Sequence, residues 1–194
     1  MMTKNGVTSD SRKGFWIQTY TGHMVVPTDP DPEQICILDI AHALSQTCRF
    51  SGHTRVFFSV AQHCCIVHDL LQHQEGGKYA LEGLLHDAAE AYLVDLPRPV
   101  KEALRASGAD CFDAVEDQLS RTIAEKYGLV YPWPDPVKHA DTVSLVTEAR
   151  DLFDKVCKDW TALFNVQPMS EILTPWTSQQ AKREFLRRYY LQVA

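Results

Sequence analysis

A chain of 194 residues, 45% hydrophobic and 23% charged, has the size and balance of one soluble globular domain that builds a core without staples. Its formal net charge of -6 argues against a nucleic-acid polymer as partner, since duplex binders present a basic face; a small anionic substrate fits if a metal supplies the positive field. No stretch approaches the roughly 18 apolar residues of a membrane span, the polar start Met1 to Gly6 lacks a signal-peptide core, and Cys36, Cys48, Cys64, Cys65, Cys111 and Cys157 show no C-x-x-C spacing, so a cytoplasmic protein with reduced thiols is expected.

Residues 1–13 are polar and read as a flexible tail ahead of a single domain over 14–194. Phe15 to Tyr20 and His23 to Val26, separated by Thr21-Gly22, read as a short β-hairpin. Two strands alone are marginal in water, so helices are expected beneath them. After the break at Thr28-Asp29-Pro30-Asp31-Pro32, Ile37, Leu38, Ala41, Leu44 and Cys48 recur at helical spacing. Arg49-Phe50-Ser51-Gly52-His53-Thr54-Arg55 is a basic loop with an embedded aromatic. It reads either as a solvated turn or as a place where Arg49 or Arg55 pairs with a phosphate while Phe50 packs on a sugar or base. A helix from about Phe57 to Gln72 follows, with Val60, Cys64, Val67 and Leu71 on its buried stripe and His63 beside it.

Gly76-Gly77 precedes a helix that begins near Lys78 and is stopped by Leu96-Pro97-Arg98-Pro99. A short helix over 100–106 comes next, and Ser107-Gly108-Ala109-Asp110 leads into a longer one with Phe112, Val115, Leu119 and Ile123 on its core face and Gly128 as its C-terminal cap. Asp135-Pro136 makes a helix start with the aspartate capping, and that helix carries His139 and Asp141 to about Phe153. The remainder, from Trp160, is interrupted by Pro168 and Pro175 and closes with a helix from about Thr177 to Leu191, whose Lys182, Arg183, Arg187 and Arg188 read as a solvated face. Helical periods outnumber strand signals, which predicts an all-α bundle with a small N-terminal β-hairpin.

The stretch from Leu84 to Pro97 concentrates the chemistry. On one continuous helix Glu90 lies one turn beyond His86 and three residues beyond Asp87, so an imidazole and two carboxylates project to a common side of an apolar surface. A bound cation is the simplest way to offset their desolvation. With His63 and Asp141 from neighbouring helices, two imidazoles and two carboxylates suit a divalent transition ion: Co2+, Mn2+, Zn2+ or Fe2+, with Mg2+ also acceptable to the oxygens. An ion that accepts six ligands then keeps positions for water and a substrate oxygen. His68-Asp69 is a second His-Asp pair, but no further carboxylate follows it one turn on.

His63, His86-Asp87 and Asp141 together resemble the H…HD…D signature of the HD-domain metal-dependent phosphohydrolases. Val60-Ala61-Gln62-His63, His86-Asp87-Ala88-Ala89-Glu90 and Asp95-Leu96-Pro97-Arg98-Pro99-Val100-Lys101 are similar to the bacterial 5'-deoxynucleotidase branch of that family and its bacteriophage relatives, which include dATP triphosphohydrolases. The likeness spans about residues 15–155 and implies an HD-type helical bundle. It also implies that His63, His86, Asp87 and Asp141 hold the metal, that Glu90 positions or activates water, and that Asp95 contacts the sugar or helps hold further metal. Arg49-Phe50 falls where the family has a basic-aromatic pair, usually Arg-Trp, on phosphate and sugar, and Arg55 or Lys101 would assist. Gln62 stands where a glutamate is common. The implied substrate is a deoxynucleotide attacked at the α-phosphorus, either a monophosphate, releasing phosphate, or a dATP-like triphosphate, releasing triphosphate. A homo-oligomer is implied, in the host cytoplasm if the chain is phage-encoded. The alternative is a catalytically silent nucleotide-binding regulatory HD module.

Overall fold

The computed structural model describes residues 15–74, 76–109 and 111–194; the tail read over 1–13, and Asp110 at the head of its helix, lie outside the described residues. The hairpin is present but short. Strand β1 (Ile17–Gln18) pairs antiparallel with β2 (Met24–Val25), with Ile17 opposite Val25. Its turn is fastened to the first helix, α1 (Ile37–Gln46): the Thr21 amide and hydroxyl both donate to Asp39, at 2.6 and 2.8 Å. A buried aspartate in a helix's first turn thus replaces the cross-strand bonds that a longer hairpin would make. Cys48 does not extend α1; it pairs across a backbone bridge with Ser59.

The central rod is α2 (Val60–Gln74), which starts later than its apolar pattern suggested because Val56 and Phe57 face solvent. Val60, Ala61, Cys64, Cys65 and Val67 are fully buried. Around α2 pack α3 (Ala80–Leu85), α7 (Asp135–Leu152) and α9 (Ser178–Val193), and α1 lies against α9. Gly83 sets the approach of α3 to α2, since a Cβ there would stand 2.5 Å from Leu71 Cδ1 and 3.3 Å from the Val67 carbonyl carbon.

The helix expected to run unbroken from Lys78 to Leu96 is in two pieces. After α3 the chain makes a tight turn over 86–89, and α4 (Glu90–Leu93) follows. In the turn the backbone bonds reach back three residues, Ala88 to Leu85 and Glu90 to Asp87. His86 Nδ1 donates to the Gly83 carbonyl at 2.8 Å, taking an acceptor that a continuing helix would offer to the Asp87 amide. Val94, at φ 72, ends α4 before Asp95.

Helices α5 (Arg98–Ala106) and α6 (Cys111–Tyr127) follow, and Gly128 at φ +66 closes α6 while Leu129 donates to the Ala124 carbonyl. Asp135 does not cap α7: it is the first helical residue, with Pro134 before it. A five-residue helix, α8 (Trp160–Phe164), capped by Asp159, was absent from the sequence reading because it is too short to show a period. Helix α9 opens on a capping box of Thr177 and Gln180. Its basic face needs one correction. Arg183 and Arg187 are exposed, but Arg188 is buried, donating to Asp69 of α2 from Nε at 2.8 Å and Nη2 at 2.6 Å and to Glu184 from Nη1. No described helix is long and apolar enough to cross a membrane.

Two predictions follow from this packing. Alanine at Gly83 would gain about 1 kcal/mol in helix propensity, yet its methyl would be forced against Leu71 and the α2 backbone, an overpacking that costs about 1–3 kcal/mol. Gly83→Ala should therefore lower the urea midpoint; a midpoint at or above that of the parent would show that α3 and α2 are not in tight contact. Burial alone would raise the Asp69 carboxyl, but hydrogen bonds from Arg188 and His68 hold it down at about 2. A depressed folded-state pKa contributes stability above the ordinary 3.8 and loses it as pH falls toward 2. The stability gap between the parent and Asp69→Asn in urea should accordingly be widest near neutrality and close across that window. A gap independent of pH would mean that Asp69 is not ionised in the native pair.

Candidate metal centre

Three elements bring four side chains together. His63 comes from α2, His86 and Asp87 from the turn after α3, and Asp141 from α7. His63 Nε2 lies 3.3 Å from His86 Nε2, 3.1 Å from Asp141 Oδ1 and 3.5 Å from Asp87 Oδ2. His86 Nε2 is 3.3 Å from Asp87 Oδ1 and 3.8 Å from Asp141 Oδ1. Two imidazole nitrogens facing one another at 3.3 Å repel if both are bare or both protonated, unless something lies between them or the carboxylates screen them. His63, His86 and Asp141 could hold a metal ion, as could an overlapping set of Cys64, His86 and Asp87.

The outward-facing ring nitrogens are fixed. His63 Nδ1 is 2.6 Å from Oε1 of Glu148, a fully buried residue of α7, and Ser144 Oγ donates to the same oxygen at 2.8 Å. His86 Nδ1 is committed to the Gly83 carbonyl. Such partners choose the tautomer of a metal-binding histidine and leave Nε2 as the ligand atom. Glu148 was not among the residues singled out in the sequence. Asp141, Ser144 and Glu148 fall three and four residues apart, one face of α7, and that spacing is the signal that would have found it.

Glu148 also holds Arg49, whose Nε and Nη2 both lie 3.2 Å from Oε2. Arg49 Nη1 then reaches toward Asp95 at 3.7 Å and Asp87 at 3.9 Å. Arg49 is buried and Phe50 half-buried, whereas Ser51, Gly52, His53 and Arg55 behind them are exposed. Phe50, Ser51 and Gly52 occupy left-handed backbone, φ 52, 50 and 78, which non-glycine residues rarely adopt without a compensating fit. The bend sends Arg49 inward and packs the Phe50 ring edge-on against Phe153 and Trp160.

Charge in this region is one-sided, with five carboxylates (Asp87, Glu90, Asp95, Asp141, Glu148) around Arg49. Burial and Arg49 push the His63 imidazole down, but Glu148 and Asp141 override them and hold it at about 10. Burial likewise lowers His86, while Asp87 and Asp141 raise it above its ordinary value. Burial, then Asp87 and Asp95, push the Glu90 carboxyl well up, and burial raises Asp95 against the pull of Arg49. Burial opposes ionisation of Asp141, but hydrogen bonds from His63 and His86 keep it well below the usual carboxylate range. The surplus of carboxylates thus raises both imidazoles and, together with burial, Glu90. Among the described residues Glu90 Oε2 is buried without a hydrogen-bond partner, a cost that a ligand would relieve. Nitrogen and oxygen donors with anchored outer nitrogens and surplus negative charge fit a divalent ion.

His86, Asp87, Glu90 and Asp141 line one side of a cavity of about 400 Å³, and Lys101 and Trp133 stand on its other walls. Lys101 lies in the cavity, bound to Glu116 at 2.6 Å. Arg55 and Phe50 are not among its lining residues. Arg55 donates to the Asp151 carbonyl at 2.7 Å and pairs with Asp154. Its place is beside a separate cavity of about 630 Å³ with Phe57 and Trp176. The loop register explains the difference: the left-handed run turns the chain so that Arg49 points inward and Arg55, six positions on, meets the C-terminal end of α7.

No family model matches the chain. It is 37% identical over 163 residues to the uncharacterized protein YfdR of Escherichia coli (strain K12), covering 80% of this chain and 86% of that protein. It is also 34% identical over 149 residues to the uncharacterized protein RCAP_rcc00048 of Rhodobacter capsulatus, covering 72% of this chain and 74% of that one. Identity at that level over most of both lengths means one fold and one line of descent: the chain belongs to the family of YfdR.

Proposed function

We propose that this protein is an HD-type metal-dependent phosphohydrolase that attacks the α-phosphorus of deoxynucleotides, as a 5'-deoxynucleotidase on monophosphates or a triphosphohydrolase on dATP-like triphosphates. The observation that carries the reading is the convergence of His63 Nε2, His86 Nε2, Asp87 and Asp141, the last three lining a cavity, with both Nδ1 atoms anchored behind them. The H…HD…D resemblance supplies the reaction class, which the geometry by itself leaves open.

His63, His86, Asp87 and Asp141 would hold the ion: Co2+, Mn2+, Zn2+ or Fe2+. When bound, such an ion lowers the pKa of a water molecule and polarises a phosphoryl oxygen. Glu90 lines the same cavity as Asp87 and Asp141, where its carboxyl would orient the attacking water. Asp95 keeps Arg49 extended toward the centre, where the guanidinium neutralises charge on the phosphate. Lys101, bound to Glu116 in the cavity wall, meets a phosphate as a point charge. Trp133 and Tyr131, edge-on at 5.0 Å, form an aromatic wall on which a base can lie.

Hydrolysis of a panel of ribo- and deoxynucleoside mono-, di- and triphosphates with Co2+, Mn2+, Zn2+ or Mg2+, with phosphate, pyrophosphate and triphosphate resolved, tests the reading directly. Phosphate from deoxynucleoside monophosphates or triphosphate from dATP is expected, and no turnover with any metal would overturn the proposal. Asp87→Ala should abolish turnover and reduce bound metal; retained metal and full turnover would remove Asp87 from the centre. Glu148→Gln keeps the size of the side chain but loses the charge behind His63, and should weaken metal affinity or activity by about 10–100-fold. Unchanged Mn2+ affinity by calorimetry, together with unchanged kcat, would show that the contact only fills space.

A further inference from the structure

Cys64 follows His63 on α2, so helical geometry turns its side chain about 100° from the imidazole. It is fully buried against the flank of the His86-Asp87 turn. There the Cys64 sulfur, a His86 ring nitrogen and an Asp87 carboxylate oxygen lie within 4.8 Å of one another. Glu90, three residues beyond Asp87 at the head of α4, is itself buried. One sulfur, one nitrogen and one carboxylate oxygen are a mixed donor set that zinc-like ions take, with room for a further ligand.

We propose that the centre contains a second cation position, formed by Cys64, His86 and Asp87, that takes a thiophilic divalent ion. The proposal rests on the reading of the neighbouring residues as a metal centre. As the sulfur–metal bond forms, the thiol proton leaves to solvent and the sulfur binds as thiolate, with no change of oxidation state. His86 and Asp87 belong to both donor sets. A thiophilic ion on the Cys64 side therefore draws them away from His63 and Asp141, whereas a harder ion such as Mn2+ stays with the oxygens and imidazoles. Choice of metal would then decide which side of His86 is occupied.

The test uses the full chain with one equivalent of Cd2+, read by thiolate-to-cadmium charge-transfer absorption, and with Mn2+, read by calorimetry. The wild-type protein should show the band and Cys64→Ser should lose it, while Mn2+ affinity in that variant stays within about twofold. Cys65→Ser, whose thiol faces Arg188 and Asp69 instead, should keep the band. Cys64→Ala serves if serine disturbs folding, which circular dichroism would reveal. Ordinary Mn2+ binding with no Cd2+ band, or with a band of equal strength in wild type and the Cys64 variants, overturns the second position and leaves the metal centre intact. A matching loss of Mn2+ affinity in both Cys64 variants overturns the division into two positions. Failure of the wild-type protein to bind either ion removes the centre and this inference together.

Discussion

The contact on which the rest of the centre depends is the buried carboxylate of Glu148, shared between His63 Nδ1 and the Arg49 guanidinium. A carboxylate taken out of water is costly unless every lone pair finds a charged or strongly polar donor. Glu148 meets that demand with an imidazole, a guanidinium and the Ser144 hydroxyl, from three parts of the chain. The desolvation that would otherwise expel it thereby ties α7, α2 and the loop after Cys48 into one unit. The same contact fixes the ring plane of His63, which a solvent-exposed partner could not do.

Further local costs are concentrated around this point. The left-handed backbone at Phe50 and Ser51, the turn that interrupts the helix at His86, and the unpartnered Glu90 oxygen all lie within or beside the centre. Each is unfavourable alone, by roughly 1–3 kcal/mol for a backbone outlier. They persist because the neighbouring core is closely packed: α2 is buried on every face from Val60 to His68, and Gly83 lets α3 lie against it while lending its carbonyl to His86. One glycine thus sets both the helix spacing and the orientation of a candidate ligand. Backbone strain is sustained where rigid elements meet it, a common property of functional sites.

Much of this architecture was legible in the amino-acid sequence. Long periodic segments gave α2, α6, α7 and α9 to within a few residues, and the aromatic and β-branched run before Thr28 gave a hairpin. What stayed hidden depends on partners far along the chain. Arg188 reads as one more cation on a polar helix until Asp69, 119 residues away, is placed beside it. Arg49 and Arg55 look equivalent in a basic loop, and only the backbone bend separates the inward one from the outward one. The interruption at His86 could not be seen because no proline lies between Ala80 and Leu93 and the one glycine, Gly83, sits before the break; the break arises when a side chain takes the carbonyl that the helix needs. Glu148 was concealed for a simpler reason, since a lone glutamate on a long helix is usually solvated.

Charge balance links the fold to its chemistry. Five carboxylates face Arg49 and two imidazoles in a space largely removed from water, and that surplus raises the proton affinity of His63 and His86 and, with burial, of Glu90. A divalent ion can replace the imidazole protons without changing the covalent framework, because the carboxylates that hold them at His63 and His86 are the same groups that would stabilise the ion. Asp141 is the one member of the set with substantial exposure, and it stands at the cavity, so exchange of ion and proton has a route from solvent. The buried side of the centre, from Glu148 through His63 to Gly83, holds the geometry constant while that exchange occurs. Stability and reactivity are thereby assigned to opposite faces of the same two histidines.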